Sequence, residues 1–432
     1  MAARAVRDEQ CDTARPSRAP YNCGMNPRLG LLHPYPFERL RVLLGTVKPR
    51  AGLRPISLGL GEPQHPTPQL VKDAVVASLD GLSRYPLTAG MPELRQAIAQ
   101  WLARRHALPA LDADRQVIPV SGSKEALFSI ANAILDPGES DALTLCPNPF
   151  YQIYEGATLL GGAKPYYVNA SARNGLRPDW EAVPESVWKR TRLVFACSPN
   201  NPNGRVMTRD EWRHLFGMAD RHGFVIVADE CYSELYFDES SPPLGALRAA
   251  HELGRADFAN LVVLGSLSKR SSAPGLRSGY AAGNREILER YMLYRTYEGA
   301  ALSNTMQAAS IAAWKDEAHV VENRRMYREK FATFYERVNP VLPLTWPDAG
   351  FYYWVQVPGG DDLAFTRDLY EQAGITVLPG SYISREAQGE NPGRGFVRMA
   401  LVSTVEEAGE AADRIAEFAR NWAPAFAGAT AK

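Results

Sequence analysis

Five short apolar runs, separated by stretches of helical periodicity, constrain this chain more than any other feature of it. Residues 117–120, 142–146, 193–197, 224–228 and 261–264 are each of strand length and nearly devoid of polar side chains. A strand with one wet face alternates apolar and polar residues, whereas an unbroken run belongs to a strand covered on both faces. Between the runs, residues 93–106, with Leu94, Ile98, Trp101 and Leu102 on one stripe, 124–135 and 210–222 carry the helical repeat. Alternating strands and helices predict an α/β fold with a mainly parallel central sheet and helices on both faces.

The pattern changes after about Ser303, where 306–338 reads as one long helix, 350–357 as hairpin-like, and mixed segments continue to about 422. We therefore expect a large unit over 61–310 and a smaller α+β unit built from 25–60 and 311–422. Residues 1–24 mix Arg, Asp, Glu and Pro without an apolar centre, unlike a secretory signal. They read as a disordered leader, with Met25 as an alternative start, and 423–432 as a flexible tail.

Composition excludes several functions. The 48 Lys+Arg against 48 Asp+Glu leave no net charge, and so no general field for a phosphate backbone or an anionic membrane. No window approaches the roughly 18 apolar residues of a membrane span. The 5 cysteines are widely spaced with no Cys-x-x-Cys pair, which favours a reducing, cytoplasmic setting, and the 7 histidines show no ligand spacing, so no metal is expected.

Four segments carry chemistry. In LVVLGSLSK, an apolar run ends in small residues and presents Lys269. A lysine at the mouth of an α/β sheet can form a Schiff base with an aldehyde once the site lowers its pKa, although a lone lysine is also an ordinary surface group. Arg277 can return to the same mouth and, with Ser266, Ser268 and a helix N-terminus, bind a phosphate. VIVADECY places Asp229 and Tyr232 at the end of a buried strand, where the carboxylate needs a partner. A protonated pyridine nitrogen would serve, and so would a simple cap. SPNNPNG, residues 198–204, offers Asn200 or Asn201 for a ring hydroxyl, or plain turn chemistry. VSGSKEAL puts the N–H groups of Gly122, Ser123 and Lys124 at a helix start, which suits an anion as well as an ordinary cap. With no Walker-type lysine loop and no third glycine after Gly59 and Gly61, the implied phosphate is not obviously a nucleotide's.

Taken in order along the chain, these segments resemble the class I/II aminotransferases of fold type I, which use pyridoxal 5'-phosphate. The resemblance runs across nearly all of 25–422. It implies Lys269 as the Schiff-base lysine, Asp229 as partner of the pyridine nitrogen, and Tyr232 and Asn201 as ligands of the ring hydroxyl. Arg277 matches a phosphate ligand, and Gly122, Ser123 and Lys124 the phosphate-cradling turn. Tyr151 in NPFYQIY matches the residue that stacks on the ring, and Tyr85 in SRYPLTAG a tyrosine that reaches the phosphate of the neighbouring subunit. Arg398 in GFVRMAL matches the arginine for the substrate α-carboxylate, and Gly61 the glycine bordering the substrate. Arg270 stands as an extra phosphate ligand in a segment more polar than in many relatives.

A narrower resemblance, through NPRLGLLHPYPFERLRVLL, LGLGEPQHPTPQLV and RYPLTAGMPELRQAIAQWL, is to the proteobacterial N-succinyldiaminopimelate aminotransferases. It implies ping-pong exchange with glutamate in lysine biosynthesis, amino-acid and 2-oxo-acid substrates, a homodimer, and a lid over 32–40. The second carboxylate of such a substrate is left to Arg295 or Arg39. The alternatives are an aspartate, aromatic or other aminotransferase and a carbon–sulfur β-lyase. A third is an aminotransferase-like regulator, for which 24 leader residues are too few to hold a DNA-binding module.

Overall fold

The computed structural model describes residues 24–422, so the tail expected at 423–432, and all but Gly24 of the leader, lie outside the described residues. Seven strands build the main sheet: β1 (Val117–Val120), β2 (Leu143–Asn148), β3 (Lys164–Asn169), β4 (Thr191–Cys197), β5 (Val225–Asp229), β6 (Leu261–Ser266) and β7 (Gly279–Gly283). Their order is β1-β7-β6-β5-β4-β2-β3, with β7 antiparallel to both neighbours and the run from β6 to β3 parallel. Each of the five apolar runs is a strand, and the reason is visible in the packing. Val194, Ala196, Ile226 and Ala228 enter one apolar cluster, while Leu193, Phe195, Cys197 and Val227, alternating with them, enter another. Both faces are dry, so no polar alternation is needed.

Two strands escape sequence reading. β3 is an edge strand of half-buried residues, and β7 reads GYAAG, which has little strand propensity. The glycines of β7 are there for space: a Cβ at Gly279 would overlap the Gly265 carbonyl, and one at Gly283 the Leu261 carbonyl.

The remaining chain forms a three-stranded antiparallel sheet in which Phe396–Ala400 lies between Leu378–Pro379 and Tyr352–Gln356. The segment read as hairpin-like is thus a single strand whose partner lies more than forty positions later. The expected long helix is two helices, Asn304–Lys315 and Ala318–Val338. Asp316 breaks it, because its carboxylate accepts the His319 N–H at 3.0 Å and starts the second helix. Phe331, Phe334, Val355, Val397, Met399 and Ile415 share an apolar cluster separate from those of the main sheet. Ile56–Ser57 pairs with Ile375–Thr376, which brings the early chain into this second region. Among the described residues no helix is long and apolar enough to cross a membrane.

Candidate active site

Parallel strands discharge their loops at one sheet edge, so residues distant in sequence meet beyond the carboxyl ends of β4, β5 and β6. There, a cavity of about 240 Å³ is lined by Ser123, Lys124, Tyr151, Asn201, Asp229, Tyr232, Ser266, Ser268, Lys269, Arg277 and Arg398, with Gly61 at its border. These are nearly all the residues singled out from the sequence. The cavity holds four cationic side chains and one carboxylate, a balance that suits an anionic ligand.

Lys269 sits in the four-residue helix Leu267–Arg270, started by the Ser266 hydroxyl, which accepts from the Ser268 N–H at 3.1 Å. Burial lowers its ammonium pKa, with Arg277 pushing the same way and Cys231 and Asp229 opposing. Asp229, 4% exposed at the end of β5, accepts from the Tyr154 hydroxyl at 2.7 Å and the Cys231 N–H at 3.2 Å. A carboxylate so buried and so oriented has one direction left, into the cavity. The Tyr232 and Tyr352 hydroxyls share a 2.9 Å hydrogen bond, and burial raises the Tyr232 pKa well above the ordinary phenol value.

The helix Ser123–Ile134 has no side-chain cap, which leaves its first N–H groups open to a ligand. Gly122 precedes it at φ +85°, a conformation suited to glycine, and a Cβ there would overlap the Arg277 guanidinium. Gly122 itself thus shapes the turn by letting Arg277 lie across it. Arg277 is anchored by Nη1 to the Pro274 carbonyl at 3.0 Å and by Nη2 to the Ser121 carbonyl at 3.3 Å. Gly61 is needed for a similar reason, since a Cβ there would overlap the Tyr352 hydroxyl.

Arg398, 5% exposed, donates from Nη1 to Asn201 Oδ1 at 3.0 Å and from Nη2 to the Gly59 carbonyl at 2.9 Å, with its Cζ 4.3 Å from the Tyr352 ring centroid. Guanidinium only donates, so Asn201 turns its carbonyl to Arg398 and its NH₂ remains available. That distinguishes Asn201 from Asn200, which is buried and absent from the cavity wall.

Two expectations land elsewhere. Arg270 is not a phosphate ligand: it points away from the cavity to the Ala313 and Asp316 carbonyls and Glu317, and packs over the Trp314 ring. Arg295 is likewise spent, buried against Glu125 at 2.6 Å and the Ala300 carbonyl at 3.0 Å. Tyr85 does not line the cavity of its own chain and is 100% exposed. Of the 32–40 segment, Tyr35, Pro36 and Phe37 line the cavity. Sequence reading missed Tyr352, Tyr154 and Cys231. Tyr154 lies one helical turn beyond Tyr151 in the same motif, but nothing local marks Tyr352 among four consecutive aromatic residues.

A ligand fitted to these groups carries an anion for the open helix start and Arg277, a basic ring nitrogen for Asp229, and an electrophile for Lys269. Pyridoxal phosphate has all three, and the donors and acceptors present fit it.

Comparison with known proteins agrees. Residues 54–415 match the family described as aminotransferase class I and II. The chain is similar to an LL-diaminopimelate aminotransferase of Desulforudis audaxviator, 33% identical over 90% of this chain and 96% of that protein. It is similar to a crystal structure of an aminotransferase from Neisseria meningitidis at 50% identity and TM-score 0.89, covering 92% of this chain and 100% of that one. It also resembles a probable N-succinyldiaminopimelate aminotransferase from Thermus thermophilus at 28% identity and TM-score 0.77, covering 88% and 98%. The chain therefore belongs to the class I and II aminotransferases, a pyridoxal-phosphate-dependent family, and is a transaminase.

Proposed function

We propose that this enzyme exchanges an amino group between glutamate/2-oxoglutarate and N-succinyl-LL-2,6-diaminopimelate/N-succinyl-2-amino-6-ketopimelate. The observation that carries amino-acid transamination is that Arg398 and Lys269 line one cavity, which combines a guanidinium suited to a carboxylate with an amine of depressed basicity. The diaminopimelate skeleton is supported by the printed names of the relatives from Desulforudis and Thermus. The first of those names favours a second reading, in which unsubstituted LL-diaminopimelate is the substrate.

Pyridoxal phosphate, when bound, supplies an aldehyde carbon for the amino group and a ring that accepts the electron pair released at the substrate Cα. The N–H groups of Gly122, Ser123 and Lys124, the hydroxyls of Ser266 and Ser268, and Arg277 would hold its phosphate. Asp229 would hold the proton on the ring nitrogen, and the Asn201 NH₂ and Tyr232 hydroxyl would meet the ring hydroxyl. Tyr151, which lines the cavity, would lie against the ring and limit water there. Arg398 binds the α-carboxylate through donors not used on Asn201 and Gly59. Nζ of Lys269, once neutral, would take the proton from the substrate Cα and hand it to the former aldehyde carbon, and in the second half of the exchange would move a proton in the opposite sense.

We further propose a cytoplasmic homodimer, divided as expected into 61–310 and 25–60 with 311–422, in which Tyr85 serves the neighbouring phosphate and Tyr35–Phe37 closes over substrate. The full exposure of Tyr85 supports the first point. The deciding experiment converts the cofactor to its amine form with glutamate and then offers N-succinyl-2-amino-6-ketopimelate, its unsubstituted counterpart, oxaloacetate and phenylpyruvate. Recovery of the original absorbance chiefly with the succinylated acid is expected. Recovery only with the unsubstituted acid favours the second reading, and recovery only with oxaloacetate or phenylpyruvate refutes both.

A further inference from the structure

Four successive residues, Lys269 to Ser272, each hydrogen bond to a side chain of one helix. Lys269 lies in Leu267–Arg270, a helix too short to satisfy its own C-terminal carbonyls. The Asn323 amide, in the helix Ala318–Val338, donates from Nδ2 to the Lys269 carbonyl at 3.1 Å and to the Arg270 carbonyl at 3.2 Å. Its Oδ1 accepts from the Ser272 hydroxyl at 3.2 Å and meets His65 Nδ1 at 2.7 Å. His319, one turn earlier, meets the Ser271 hydroxyl through Nε2 at 2.8 Å. Asn323 is 3% exposed, and both donors and both lone pairs of its amide are used.

The network is self-consistent. The two carbonyls only accept, so Nδ2 must face them and Oδ1 must face His65, which then carries its proton on Nδ1. Burial lowers the His65 pKa to about 4, so the ring is neutral near pH 7. His65 follows Leu60 and Gly61, which line the cavity, and Thr67 donates to the Ser272 carbonyl at 2.9 Å. Beyond Asn323 the same helix runs into the second core through Tyr327, Phe331 and Phe334. Asn323 is where the lysine turn, the substrate-bordering segment and the second core meet.

We propose that Asn323 is a positioning residue for Lys269, its amide fixing the lysine turn relative to the segment that borders the substrate. The inference rests on Lys269 being the lysine that meets the cofactor. Without the two donors, the Lys269 and Arg270 carbonyls are left uncapped. The turn then shifts Nζ, and the freed carbonyl dipoles favour its protonated state. Cys231, Arg277, Asp229 and Glu62, the other ionisable groups around Nζ, are unchanged by the substitution.

The test uses Asn323→Leu, which is close in volume, removes both donors and adds no charge near Nζ. The cofactor-loaded protein is titrated with acid and base at its visible band, and the rate at which glutamate changes that band is measured. The band should persist, its titration midpoint should move to higher pH, and the glutamate step should slow roughly ten- to a hundredfold. The half-saturating glutamate concentration should stay within about threefold. A wild-type midpoint and rate would overturn the proposal, whatever the melting temperature. If Asn323→Leu does not fold, Asn323→Ala carries the same expectations. Lys269→Ala, expected to lose the band, tests the underlying assignment separately.

Discussion

Arg398 reaches Asn201 by a 3.0 Å hydrogen bond that ties the three-stranded sheet to the loop after β4. One contact thus joins the group proposed for the substrate carboxylate to the group proposed for the cofactor ring. The buried Nε of Arg398 has no partner among the described residues.

Removing Arg398 should therefore act mainly on substrate binding. Hydrogen bonds to charged groups contribute about 1.5–3 kcal/mol, so Arg398→Ala should raise the half-saturating glutamate concentration roughly ten- to a hundredfold. Steady-state kinetics check this, and the cofactor band should remain.

Gly122→Ala should weaken the cofactor rather than the substrate. The new Cβ meets the Arg277 guanidinium and the backbone is held at φ +85°. We expect the pyridoxal phosphate dissociation constant to rise about tenfold or more, measured by titrating the cofactor-free protein. Gly175→Ala is the control, since its φ is +68° with nothing within 4 Å. It carries the strain without the clash and should leave cofactor affinity unchanged.

Glu230, fully buried behind the site, accepts the Ala246 N–H at 2.5 Å, and burial raises its pKa to about 7. The native state thus holds a proton that the unfolded chain releases near the ordinary carboxyl value of 4.5. Stability from this group falls as pH rises from about 4.5 to about 7. Glu230→Gln keeps the acceptor and cannot ionise. Its melting temperature relative to wild type should therefore increase between pH 5 and pH 8, as followed by thermal unfolding.

Tyr85 and Lys269 should complement each other across subunits. Lys269→Ala and Tyr85→Ala, each impaired alone, should regain activity when mixed and allowed to exchange. One site of each mixed dimer then has both residues, and random pairing sets the ceiling at about a quarter of wild type. An absence of recovery despite mixed dimers, or an active monomer in sedimentation, would refute the shared site.

The elements most legible in the sequence are those whose environment is uniform. β4 and β5 are dry on both faces, and a run such as LVFAC has no other comfortable state. β7 was invisible because its glycines answer to the Leu261 and Gly265 carbonyls across the sheet. The split at Asp316 was invisible because apolar periodicity continues through it.

The site divides the same way. Lys269, Asp229, Asn201 and the Gly122–Lys124 turn follow strands directly, so local order placed them at the mouth once the strands ran parallel. The chain's own residues also determined that a phosphate-bearing, aldehyde-bearing ligand would be suited there. Only the tertiary structure sent Arg270 to Glu317 instead of the phosphate, spent Arg295 on Glu125, and set Tyr352 between Tyr232 and Gly61. The physical reason is reach: an arginine extends far enough to choose among several neighbours, and the choice depends on which carboxylates and carbonyls packing brings near. Backbone pattern specifies where a side chain begins, and the partners supplied by distant segments decide where it ends.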